Sequence, residues 1–176
     1  MERCGGYTLP EMVFVVAIVA ATLGYGVPAF RDLGLDASRT RELNTFVHAL
    51  YLARSEAIKR NGVVSLCPSG DGELCAPAGT PWHSGWIVFV NGDREQPAVR
   101  DAGEELLRAH PGRSDGSVAA NRATLSFRPS GQSGTTATFV FCDRRGARSA
   151  RAVIISQTGR PRVSSQDSSG ESLRCS

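Results

Sequence analysis

Lysine is almost missing from this chain, which carries nineteen arginines but only one lysine, Lys59, and histidine is limited to His48, His83 and His110. With so few histidines, and no Cys-x-x-Cys pair, no ligand spacing for a zinc site is present. A phosphate-cradling P-loop is absent as well. Gly131-Gln132-Ser133-Gly134-Thr135 superficially matches a nucleophile elbow, but its second glycine comes one place early and no histidine follows Ser133. The acid pairs Glu104-Glu105 and Asp93/Glu95 lie among turn residues and read as solvated surface. No catalytic residue, metal or cofactor is therefore expected. Net charge is only +3, so overall charge excludes little about partners. Arginine in place of lysine fits a GC-rich coding sequence, and it equally fits bidentate phosphate contact. The placement of the arginines has to decide.

Charge is also missing from Met12 to Phe30, a mostly apolar run of nineteen residues. As a helix it would be about 28 Å long, close to the hydrocarbon thickness of a bilayer. Glu11 adjoins the run, and a carboxylate carried into lipid costs on the order of a few kcal/mol unless it finds a partner. Two ordinary readings stay open. One is a secretory signal, with Arg3 as its basic start, Met12 to Leu23 as its apolar core and Val27-Pro28-Ala29 as its cleavage site. The other is a simple membrane anchor with Glu11 at the interface.

Chain length allows this segment plus one globular domain of roughly 140 residues. Gly24, Gly26 and Pro28 weaken the helix, and a short break is expected around Gly34. Asp36 or Ser38 would cap a second helical stretch, in which Leu43, Phe46, Val47, Leu50, Ala57 and Ile58 recur on one face. Asn61-Gly62 supplies the stop. From Val63 the period changes to two. Strands are expected at Val63–Cys67, Trp86–Val90, Glu105–Leu107, Thr124–Phe127, Thr138–Cys142 and Ala152–Ile155, separated by turn residues. The fold class is α+β, a long N-terminal helix on a mainly antiparallel sheet.

Gly6-Tyr7-Thr8-Leu9-Pro10-Glu11, followed by the apolar helix, resembles the class III signal of type IV pilins and type II secretion pseudopilins. Tyr7 stands where that family usually has Phe, and Pro10 where it often has Ile or Val. The resemblance implies a type IV pilin fold whose first helical half is transmembrane. It implies that a prepilin peptidase cleaves between Gly6 and Tyr7, that Tyr7 is N-methylated, and that Glu11 pairs with a neighbour's terminal amine during filament assembly. The organisation that follows is 1–6 leader, 7–30 hydrophobic assembly helix, 31–61 amphipathic continuation and 62–176 β-sheet domain. The chain would sit in the bacterial inner membrane as a single-pass protein with a periplasmic domain, then in a pilus or pseudopilus among other pilins.

Later blocks narrow the resemblance. Leu52 to Arg60, Val64-Ser65-Leu66-Cys67-Pro68-Ser69, Gly85-Trp86-Ile87-Val88-Phe89 and Cys142-Asp143-Arg144-Arg145-Gly146 are similar to the FimT/GspH branch. Gly159-Arg160-Pro161-Arg162 matches the Gly-Arg-x-Arg element of the DNA-binding FimT minor pilins of natural transformation. Six arginines against the one acid Asp143 lie between Cys142 and Gln166. Gly159, Arg160 and Arg162 are expected on an exposed turn between β-prone segments, and Arg144, Arg145, Arg148 and Arg151 would widen it into a basic stripe. Aromatics are absent from the stripe, so contact would be to the phosphates of double-stranded DNA, without sequence preference. The alternative is a structural minor pilin or pseudopilin that binds no DNA.

With Cys4 in the leader, four cysteines remain, and an oxidising compartment suggests two disulfides with three possible connectivities. The expected pairing is Cys67 with Cys75, enclosing a short Pro/Gly loop, and Cys142 with Cys175, anchoring the C-terminus.

Overall fold

The computed structural model describes residues 6–113 and 116–175, with side chains at 26–29 left aside; Arg3 and Cys4 lie outside the described residues. Two compact units divide the chain, one ending at Ser38 and one running from Arg39. A single helix, α1 (Leu9–Arg60), begins in the first and continues into the second.

In the first unit the helix starts on a capping-box sequence, Thr8-Leu9-Pro10-Glu11. Met12 N–H donates to Thr8 O at 3.2 Å, and Glu11 Oε2 reaches back to Thr8 N–H at a long 3.5 Å. This pairing lends Glu11 a local role at the helix start, where a carboxylate also complements the dipole. Beyond it, Met12, Val13, Phe14, Val15, Val16, Ile18, Val19 and Leu23 are all exposed. The helix contains a window of mean hydropathy 2.1 with none of it buried, long and apolar enough to cross a membrane. The break expected around Gly34 is not present, nor does Asp36 or Ser38 start a new helix: residues 9–60 are helical throughout. One exposed glycine costs only about 1 kcal/mol in a helix, and propagation adds a hydrogen bond per residue once a helix exists.

In the second unit, α1 buries Leu43, Phe46, Ala49, Leu50, Ala53 and Ala57, a stripe at three- and four-residue spacing. Asn61 ends it with φ 50°, and Gly62 N–H closes back to Ala57 O at 3.1 Å while Asn61 N–H bonds Ile58 O at 3.2 Å. These two bonds form a Schellman cap with asparagine in the left-handed position.

The strands are β1 (Val63–Pro68), β2 (Gly85–Asn91), β3 (Leu106–Pro111), β4 (Ser117–Ala120), β5 (Leu125–Phe127), β6 (Ala137–Cys142), β7 (Arg151–Ile155) and β8 (Pro161–Ser164). Among the described residues they form two four-stranded antiparallel sheets, ordered β3-β2-β1-β5 and β4-β6-β7-β8. The helix stripe packs against the inner faces of both. Phe46 is central, with ring centroids 4.7 Å from Phe139, 5.6 Å from Phe141, 5.7 Å from Trp86 and 5.8 Å from Trp82. Val64, Leu66, Val88, Phe127, Val153 and Ile155 complete this core. β4 has no counterpart among the sequence-based strands, because Ser117-Val118-Ala119-Ala120 lacks a β-prone run. It exists through pairing with β6, Val118 opposite Phe141. Likewise β3 begins at Leu106 and extends four residues past the expected Leu107 to Pro111, paired along β2.

Each sheet also has a small cluster on its far face. Cys67, Ile87, Phe89 and Ala98 form one, and Cys142, Ala150, Ala152, Ile154 and Leu173 the other. Burial on both faces explains why β1, apart from Ser65, is apolar without alternation. Disulfides Cys67–Cys75 and Cys142–Cys175 hold the covering segments, the second tying the C-terminal stretch onto the β6–β7 face.

Candidate functional site

The last hairpin presents the Gly-Arg-x-Arg element. β7 carries Val153 and Ile155 into the main core and Ala152 and Ile154 into the far-face cluster. Arg162 lies opposite Ile154, which places it on the far face of the sheet, and β8 is the sheet edge. The turn closes through Gly159 N–H to Ser156 O at 2.8 Å and Ser156 N–H to Arg160 O at 3.3 Å. Arg160 and Arg162 are both exposed, and neither has an ion-pair partner among the described residues. Pro161, at the first position of β8, fixes φ between them.

Gly159 is buried, unlike its arginine neighbours, and has φ 74°. A Cβ there would meet the Gly131 carbonyl oxygen, with Phe127 Cε1 at 3.2 Å. The turn rests on the 128–134 loop: Ser133 N–H donates to Gln157 O at 3.2 Å and Ser133 Oγ to Ser156 O at 2.9 Å. From the helix, Arg54 Nη1 donates to Gly159 O at 3.3 Å. The glycine thus supplies close backbone approach, and the arginines are held out by a turn braced on two sides.

The other four arginines are elsewhere. Arg144, Arg145 and Arg148 belong to the β6–β7 connection and Arg151 opens β7, so they sit at the opposite end of that strand from Gly159 and Arg160, about 13 Å away at the usual rise. The structure therefore divides the expected stripe into two groups. Arg145 is committed to Asp143, whose side chain is 1% exposed: Nη2 lies 2.7 Å from Oδ2, Nε 3.1 Å from Oδ1, and the Arg145 N–H 2.9 Å from Oδ1. Arg39 reaches the same carboxylate at 3.4 Å and also donates to Ser149 O, joining α1 to this loop. The Arg145 side chain, its N–H and the nearby Arg39 hold the Asp143 carboxyl below the usual carboxylate range against the effect of burial. Arg151 is half-buried and donates to Ala150 O at 2.9 Å. Arg144 and Arg148 are exposed.

Two arginines that the sequence did not single out belong to the elements that support the hairpin: Arg54 donates to Gly159 O, and Arg128 opens the loop beneath the turn. Arg128 is exposed, with its guanidinium 3.3 Å from the position a Cβ on Gly134 would take. Neither lies near the motif in sequence, so no local signal marks them. At the other end of the chain, Gly6 and Tyr7 precede α1 and are exposed, as is Glu11.

Residues 42–159 match the family model of GspH, described as a type II transport protein. The matched stretch ends at Gly159, so Arg160 and Arg162 lie beyond it. No curated protein matches the chain. Two crystal structures of the Pseudomonas aeruginosa type IV minor pilin FimU are similar in fold. The P65 form gives a TM-score of 0.53 and covers 80% of this chain and 99% of its own, at 24% identity. The P21 form gives 0.54, covering 84% and 99%, also at 24% identity.

Proposed function

This chain belongs to the GspH family, and we propose that it is a minor pilin that binds double-stranded DNA without sequence preference, for DNA uptake in natural transformation. Residues 1–6 are the leader removed by prepilin peptidase, 7–30 the membrane and assembly helix with Tyr7 methylated, 31–61 its amphipathic continuation and 62–176 the periplasmic domain. Glu11 pairs with a neighbouring subunit's amine as the chain leaves the inner membrane for the filament. The observation that carries the DNA reading is the pair Arg160 and Arg162, exposed on a braced edge hairpin. Two guanidinium groups with little backbone freedom to lose suit phosphate oxygens, which attract arginine whatever the base sequence.

Full-length protein in neutral detergent, titrated with labelled duplexes of different sequence at several salt concentrations, tests this. Replacing Arg160 and Arg162 with Gln weakens binding to every duplex alike and lowers the salt slope by about 0.9 for each phosphate no longer neutralised, with thermal stability unchanged. Equal affinity of the double variant at matched salt removes the hairpin as the site. A second reading, a pseudopilus subunit of type II secretion that binds no DNA, is favoured by the family description itself. Failure of the wild-type protein to bind any duplex would select it.

A further inference from the structure

A cleft of about 380 Å³ lies beside the braced hairpin, walled by Arg94 and Gln96 from the loop after β2, Thr124 and Ser126 around β5, and Arg128 and Thr135 from the loop after it. Two of its lining residues are arginines and none is a carboxylate. Its hydroxyl and amide groups are partly ordered in advance, Gln96 Nε2 donating to Ser126 Oγ at 2.8 Å and Thr124 Oγ1 accepting from Ala98 N–H at 3.3 Å. Arg94 holds φ 64°, a left-handed conformation uncommon outside glycine, asparagine and aspartate. Its acidic neighbours are turned to the backbone: Asp93 Oδ1 accepts from Glu95 N–H at 3.1 Å and Glu95 Oε1 from Val99 N–H at 3.0 Å. Arg94 and Arg128 are exposed and have no ion-pair partner among the described residues.

Continuity with the hairpin gives the cleft its meaning. The 128–134 loop that supplies Arg128, Ser133 and Gly134 to the cleft is the loop on which Gly159 rests. The 128–134 loop therefore joins the hairpin that carries Arg160 and Arg162 to the cleft that holds Arg128, with Arg94 facing the same cleft from the loop after β2. Resting on the DNA reading above, we infer that this cleft seats a further phosphate of the same DNA backbone, with the Arg94 and Arg128 guanidinium groups as its ligands and Thr124, Ser126 and Thr135 as neighbouring hydroxyls. A phosphodiester fits this lining because it offers only acceptor oxygens and negative charge to two cationic forks. The absence of aromatic rings from the lining leaves the base unread.

The test compares full-length wild type, R94Q/R128Q, R160Q/R162Q and the charge-matched control R41Q/R108Q in neutral detergent, using one labelled duplex over a salt series. The R94Q/R128Q variant lowers the magnitude of the salt slope by about 0.9 and weakens binding, since one phosphate is no longer neutralised. R41Q/R108Q leaves the slope at the wild-type value. Wild-type binding with an unchanged slope in R94Q/R128Q overturns the cleft and leaves the hairpin reading standing. An equal fall in the control overturns it also, because net charge then explains the loss. Wild type that binds no duplex ends both readings. A parallel NMR titration follows the amides of Arg128 and Gly134. Saturable shifts with the duplex support the seat, whereas shifts with inorganic phosphate alone and none with duplex would make the cleft a free-phosphate site and refute it.

Discussion

Gly159→Ala separates what the glycine does from what the arginines do. The added Cβ would run into the Gly131 carbonyl oxygen and come within 3.2 Å of Phe127 Cε1, and Phe127 is fully buried. Neither a backbone carbonyl of the loop beneath the turn nor a core ring can step aside like the end of a flexible side chain. Left-handed backbone costs an alanine about 1–2 kcal/mol, and overpacking adds about 1–3 kcal/mol, for a total of about 2–5 kcal/mol. With an unfolding entropy near 2.1 cal/mol/K per residue over roughly 140 residues, Tm falls by roughly 7–17 °C. Gly170 is the internal control: its φ is 84° and it closes the same kind of turn, donating to Asp167 O at 3.3 Å, yet a Cβ there meets nothing within 4 Å. Gly170→Ala loses only the conformational part, about 1–2 kcal/mol or roughly 3–7 °C. Thermal melts in detergent, followed by fluorescence of the core residues Trp82 and Trp86, measure both. Equal melting shifts for the two variants would refute the close-approach argument, as would a Gly159→Ala protein that melts with wild type.

Asp143→Asn leaves Arg39 and Arg145 facing a neutral group in a buried site and costs about 3–5 kcal/mol. Because the folded carboxyl titrates below its unfolded value, its stabilisation is complete above that value and is lost as pH falls below about 4. Chemical-denaturation titrations should show a larger acid loss in wild type than in the variant, which keeps only the share of Asp71, Glu56 and Glu105; identical acid profiles would show that Asp143 does not contribute to it. Replacing Cys142 and Cys175 together with Ala opens a bridge of sequence separation 33, worth about 4 kcal/mol on the chain-entropy model. Hydrogen exchange should then rise first at residues 166–175, and non-reducing peptide mapping that joined Cys67 to Cys142 would contradict both bridges. N-terminal sequencing after processing should begin at Tyr7, whereas a start at Phe30 would establish a secretory signal. Glu11→Gln keeps the acceptor that reaches Thr8 N–H but loses the charge, so filament incorporation should fall while cleavage persists; normal incorporation would remove the pairing role of Glu11.

Much of the scaffold is determined by short-range pattern alone. The uncharged run from Met12 to Phe30, the stripe Leu43, Phe46, Leu50 and Ala57, the Asn61-Gly62 cap and the β-branched runs of β1, β2, β6 and β7 follow from side-chain periodicity and backbone preference within a few residues. The turn at Gln157 to Pro161 follows in the same way, because Gly159 and Pro161 punctuate two β-prone segments. Tertiary structure alone decided the rest. β4 has no propensity of its own and exists by pairing with β6. The strands divide into two sheets because β1 recruits β5 while β6 recruits β4, pairings between non-consecutive strands that no local period encodes. Arg145 looks like its neighbour Arg144 in sequence, yet it is withdrawn by Asp143, and Arg39, 104 residues earlier, shares that carboxylate. Arg54 braces Gly159 across a separation of 105 residues, and the loop that Arg128 opens is brought beneath the turn only by packing against Gly159. The sequence could name the arginines. Which of them stay free to meet a phosphate depends on where the chain places its few buried carboxylates and carbonyls, and that is a property of the packed fold.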